Sequence, residues 1–102
     1  MVLGEMRTLL SALNGVLSSL AENDPKQAAQ AARSAGMKMA VDVNPALLMK
    51  LPADFKQLGM GTHKQFDELA DQLDQGISQK EAIRLMAGLT SRCVACHQGN
   101  RF

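Results

Sequence analysis

The chain has 102 residues, a formal net charge of +1 and 46% apolar side chains. This length suits a single domain, expected over residues 1–102. The near-neutral charge gives no electrostatic basis for binding nucleic acid, and no apolar run is long enough to span a bilayer. Bulky side chains are few: three Phe, no Trp and no Tyr, against seven Met. A core of Ala, Leu and Met at this length either packs as an ordinary small bundle or leaves room for a large guest.

In chain order, Met6, Leu10, Leu13, Leu17 and Leu20 recur at steps of four and three, widened by Leu9 and Val16. The spacing predicts an amphipathic helix from about Leu3 to Glu22. Gly15 within it costs about 1 kcal/mol against Ala, and Asn23-Asp24-Pro25 ends it. A second helix opens with Asp24 as cap, Pro25 at the first helical position and Gln27 in the capping-box position. Its seam is Ala28, Ala32, Ala35 and Met39, and it is expected to end near Val41. Such an alanine face lets a neighbouring helix, or a flat ligand, come close.

From Asp42 to Gly61 the periodicity breaks, punctuated by Pro45, Pro52, Gly59 and Gly61. This is the long connection, with short helical turns expected over 46–50 and 53–58. Its apolar residues, Leu47, Leu48, Met49, Leu51, Phe55 and Met60, are expected to pack on the bundle. The third helix is expected to start with Thr62 as cap, to bury Phe66, Leu69, Ala70 and Leu73, and to end at Gly76. Asp67, Glu68, Asp71 and Asp74 mark its solvated face. Ser78-Gln79-Lys80-Glu81 is a capping box that opens the fourth helix. Ala82, Met86, Leu89, Cys93 and His97 form one stripe along it, flanked by Ile83, Leu85 and Ala95. With no strand pattern, the expected fold is all-α, an antiparallel up-down-up-down four-helix bundle with a longer connection between helices 2 and 3. In that arrangement Met6, Met39, His63, Phe66 and His97 gather at one end.

Cys93-Val94-Ala95-Cys96-His97 carries the chemistry. It reads C-x-x-C-H, the attachment pattern of a c-type haem. Each thiol adds across one vinyl group of the porphyrin, and the adjacent imidazole binds iron as the proximal ligand. On a helix, Cys93 and His97 lie one turn apart on one face, with Cys96 beside them. These are the only cysteines in the chain, and His97 is one of two histidines. The competing readings are a disulfide, a thioredoxin-like redox pair and half of a zinc site. A redox pair belongs beside a βαβ pattern, which is absent here. Zinc takes about four protein ligands, and beyond the motif only His63 and carboxylates are on offer.

These residues together resemble a class II c-type cytochrome, the cytochrome c-prime family. The resemblance rests on a C-terminal Cys93-Val94-Ala95-Cys96-His97 on the last of four helices, followed by Arg101. It extends to the low-spin four-helix b-type cytochrome of the bacterial periplasm through Met6-Arg7-Thr8-Leu9, Phe66-Asp67 and His97-Gln98. It implies one haem c, covalent through Cys93 and Cys96, with His97 on the iron. It also implies assembly in the periplasm, with the export signal lying outside this chain. High-spin members leave the sixth position open and bind nitric oxide or carbon monoxide, whereas low-spin members fill it with a Met from the start of helix one and transfer electrons. Met6 matches that Met in position, and the low-spin type is the expected one. The third helix is shorter than in longer family members, and Trp and Tyr are lacking.

The candidate iron ligands are therefore His97 and Met6, with Met39 and His63 as rivals for the sixth position. Leu10 and Phe66 are the candidate haem-packing residues. Arg101, then Arg92 and Lys64, are candidate partners for the propionates, although solvated surface charge is the ordinary role of such residues. The expected function is electron transfer with redox partner proteins, as a monomer or homodimer, without catalysis. A five-coordinate gas-binding protein is the alternative, and a peroxidase-like enzyme would want polar distal groups that the sequence does not offer.

Overall fold

A computed structural model describes residues 2–38, 49 and 53–99, without the side chains of 2–5, 54 and 55. Four helices account for most of these residues: α1 (Val2–Ala21), α2 (Pro25–Arg33), α3 (Ala53–Asp74) and α4 (Gln79–Gly99). No strand occurs among the described residues.

Local chemistry sets most of the boundaries. The Asp24 carboxylate accepts a hydrogen bond from the Gln27 N–H at 3.1 Å and caps α2, with Pro25 in its first turn. Ser78 Oγ accepts from the Glu81 N–H at 3.1 Å and caps α4. Gly76 takes φ +84°, the left-handed conformation that glycine adopts without a Cβ penalty, directly after α3. The two turns meet: Gln79 Nε2 donates to the Leu20 carbonyl at 3.2 Å. Leu20, Pro25, Leu73 and Ile77 line a shallow cleft there.

Two boundaries differ from expectation. The third helix begins at Ala53, not at Thr62, so Gly59 and Gly61 lie inside it. Thr62 is buried in the helix, and its hydroxyl donates to the Leu58 carbonyl one turn back at 2.7 Å, a bond compatible with a helix interior. The predicted turn over 53–58 is the first part of that helix. The second helix ends at Arg33, not near Val41. Met39 and the rest of 39–48 lie outside the described residues, as does most of the predicted turn over 46–50.

Ala35 and Gly36 follow α2 in a tight, buried turn. A Cβ on Gly36 would fall well inside contact distance of the Asp67 carboxylate, so only glycine admits that group. Asp67 Oδ2 accepts from the Met37 N–H at 2.9 Å. His63 donates from Nδ1 to the Ala35 carbonyl at 2.7 Å. Arg33 pairs with Asp71 and with Asp74. His63, Asp67, Asp71 and Asp74 thus form one edge of α3, turned toward α2. Asp67 belongs to this clamp, and the expected solvated face applies to the exposed, screened pairs of Asp71 and Asp74.

The core joins all four helices through Ala12, Leu13, Val16, Leu20, Ala28, Ala29, Ala32, Ala35, Phe66, Leu69, Ala70, Leu73, Ala82, Met86 and Leu89. The predicted face of α3 is borne out, as are Ala28 and Ala32 of α2, Ala35 just beyond it, and Ala82, Met86 and Leu89 of α4; farther along the α4 stripe Cys93 is half-buried and His97 exposed. In α1 the buried stripe is rotated. Ala12, Val16 and Leu20 are inside, whereas Leu10 and Leu17 are 67% and 53% exposed. The cause is proximity: a Cβ on Gly15 would stand 2.9 Å from the Ala31 Cβ, so α1 turns its small residues to α2.

The Gly36–Asp67 contact yields a double-mutant test. Gly36→Ala should lower stability by about 1–3 kcal/mol, as an added methyl does in a packed site. In an Asp67→Ala background the methyl has room and the cost should shrink. Urea unfolding midpoints of the four proteins measure the coupling; additive effects would count against the contact.

Candidate functional site

Helix α4 carries Cys93, Cys96 and His97 in continuous helical geometry. Cys93 and Cys96 are half-buried, neither is in a disulfide, and His97 is exposed. Burial pushes the Cys93 thiol above its ordinary value, partly offset by a backbone hydrogen bond. That environment is opposite to one that activates a redox thiolate, which needs a depressed pKa. Among the described residues no three His, Cys, Asp or Glu side chains gather as a metal-binding group, so a structural zinc site has no donor set there.

The surroundings follow from which helices pack. Helices α1 and α2, α2 and α3, and α3 and α4 pack along their lengths, while α1 and α4 meet at most marginally. In α1, Leu10 and Leu17 lie on the side opposite Gly15, away from α2. In α4, Arg92 faces α3: a Cβ on Gly61 would stand 2.5 Å from its Nη1. Helical spacing then turns Ile83, Thr90, Val94 and His97 away from α3. Ile83 is 50% and Val94 55% exposed. The seam between α1 and α4 is the least closely packed of these, and the large apolar side chains Leu10, Leu17, Ile83 and Val94 stay exposed on the two helices. Half-buried Met6 shares the side of α1 that carries Leu10, and exposed His97 the side of α4 that carries Val94.

The other candidates divide clearly. Phe66 is fully buried and is among the largest side chains in the core. Leu10 stands on the seam and not in the core. His63 is buried on the α2-facing edge of α3, engaged to the Ala35 carbonyl, and is not brought to His97. Because a carbonyl can only accept, a proton sits on Nδ1. Met39 and Arg101 lie outside the described residues. The Gly61–Arg92 approach had no signal in sequence, where Gly61 reads as a helix breaker.

The chain matches no family model, no curated protein and no solved structure.

The raised thiol carries a pH prediction for haem-free chain. Native Cys93 keeps its proton where the unfolded thiol has lost it. Stability is therefore full below the ordinary thiol range and falls as pH rises through that range toward the native value. In a Cys96→Ala background, the alkylation rate of native Cys93 should titrate with a midpoint above that of the urea-unfolded chain. A midpoint equal to or below the unfolded one would contradict the burial of this thiol.

Proposed function

We propose that the chain is a periplasmic electron-transfer protein of the cytochrome c-prime type, built as an antiparallel up-down-up-down bundle with a long connection between α2 and α3. It holds one haem c through Cys93 and Cys96, with iron ligated by His97 and Met6. The observation that carries this reading is the C-x-x-C-H pattern on the last helix.

The residues present fit the group. Cys93 and Cys96 are half-buried, three residues apart on α4 and outside any disulfide, and His97 has no hydrogen-bond partner among the described residues. A c-type haem, when bound, supplies a one-electron ferric–ferrous couple. The side chains then do the following. Cys93 and Cys96 hold the macrocycle through its vinyl carbons. The His97 imidazole binds iron as a neutral base. Met6 offers a soft thioether that favours the ferrous state and raises the potential. Leu10 supplies apolar contact and excludes water, whereas Phe66, fully buried in the protein core, stands behind that surface. Arg101 is the proposed partner of the propionates. No catalytic group is assigned; the partners are redox proteins, not nucleic acid, and the chain acts as a monomer or homodimer. No helix among the described residues is long and apolar enough to cross a membrane.

The test is expression in a host that matures c-type cytochromes. Haem should stay with the denatured polypeptide, and Cys93→Ala with Cys96→Ala should release it to acid–organic extraction. Complete extraction from the wild type would sink the reading. The ferric absorption spectrum should be low-spin, and Met6→Ala should make it high-spin and open to added ligands, with a lower potential. A wild type that is already high-spin favours a five-coordinate protein that binds nitric oxide or carbon monoxide. A Met6→Ala protein that stays low-spin points to Met39 or His63.

A further inference from the structure

Arg92 sits immediately before the first thioether cysteine and is half-buried. Its guanidinium lies over the α3 backbone at Gly61, in space that a Cβ there would enter. No carboxylate pairs with it among the described residues, in contrast to Arg33 and Arg84, which do have partners. On α4, Arg92 and Cys96 are one turn apart on one face. Gln65, one turn beyond Gly61 on the same edge of α3, keeps a buried Oε1 without a donor, an acceptor in the same strip. The chain thus places a half-buried cation, without an ion-pair partner among the described residues, beside the thioether edge of the proposed site.

That position decides between two roles. Vinyl groups and propionates leave opposite edges of the porphyrin. A cation on the side of Cys96 would therefore stand nearer the vinyl edge than the propionates. Among the described residues it has no carboxylate to neutralise. It would act instead on the iron, whose ferric complex with neutral His and Met ligands carries one more positive charge than the ferrous complex. A nearby cation disfavours the ferric form, and partial burial weakens the screening by salt.

We propose that Arg92, held in place by the absence of a side chain at Gly61, is a positioning residue that raises the reduction potential of the haem. The inference rests on the haem reading above. The reaction concerned is addition of one electron from a redox mediator to ferric iron, with no bond made or broken.

The experiment uses holoprotein and compares wild type with Arg92→Gln, Arg92→Lys and Gly61→Ala by optical redox titration, with covalent haem read on a denaturing gel. At the wild-type midpoint potential, the ferrous-to-ferric ratio should fall in Arg92→Gln, on the order of several-fold at low salt. Arg92→Lys should keep the ratio near that of wild type. Gly61→Ala should move it in the same direction as Arg92→Gln, because the methyl displaces the flexible end of the side chain. Absorption spectra should stay low-spin throughout. Equal shifts in the Gln and Lys variants, or none in Gln, would overturn the role of the charge. An unmoved potential in Gly61→Ala would overturn the positioning. A wild type without covalent haem would overturn the haem reading, and this inference with it, whereas normal haem with an unmoved potential overturns the Arg92 proposal alone.

Discussion

Close approach on the alanine face of α2 is the constraint from which the rest of the bundle follows. Ala28, Ala29, Ala32 and Ala35 are all buried, and none has a side chain long enough to hold a neighbour at the usual helix–helix distance. Helices α1 and α3 are therefore drawn in on either side. On α1 the residues that meet such a surface are small, Ala12, Gly15, Val16 and Ser19, with Leu13 and Leu20 also in the core. On α3 the same closeness lets side chains reach the α2 backbone directly, as His63 and Asp67 do. The pair α1 and α4 packs less closely than these.

Features that depend on a few adjacent residues were legible in the sequence. The caps at Asp24 and Ser78, the left-handed Gly76 and the C-x-x-C-H spacing all act within one turn of helix. The buried faces of α2, α3 and α4 were legible for a related reason, since each repeats over several turns. The burial of α1 was legible only in part. Leu13, Val16 and Leu20 are inside as expected, but leucine outranks alanine in hydrophobicity, so the exposed Leu10 and Leu17 also read as core, while the buried Ala12 did not. The start of α3 was hidden too. Two glycines within three residues cost about 2 kcal/mol against alanine in an isolated helix. In the folded chain Gly61 is the surface on which Arg92 lies, and that relation spans most of α3 and α4. Gly36 is a similar case, because its purpose is room for Asp67, whose bond to Met37 spans 30 residues.

The position of His63 bears on the choice of sixth ligand. A buried imidazole is an obvious rival to a thioether as a ligand, and a ring nitrogen bonded to a carbonyl is the usual support for a metal-binding histidine. Here the carbonyl belongs to Ala35, so the support holds the ring at the α2 edge of α3. Taking His63 to the seam would break that bond and leave the Ala35 carbonyl without its donor, at about 1–3 kcal/mol. Met6 is already on the side of α1 that carries Leu10 and has no such bond to give up.

Ligation across the seam would also alter the balance of the bundle. The anchors Cys93, Cys96 and His97 lie on α4 and Met6 lies on α1, the two helices that pack least against one another. A group bound by both would cover Leu10 and Val94 and supply the contact that the polypeptide lacks between them. Its affinity for the closed arrangement would then appear as stability, because a ligand that binds one state alone shifts the equilibrium toward it. Attachment through thioethers makes that shift permanent. The scarcity of aromatic residues is consistent with this division: the α2 side is closed by alanine, and on the α1–α4 side large apolar side chains stay exposed.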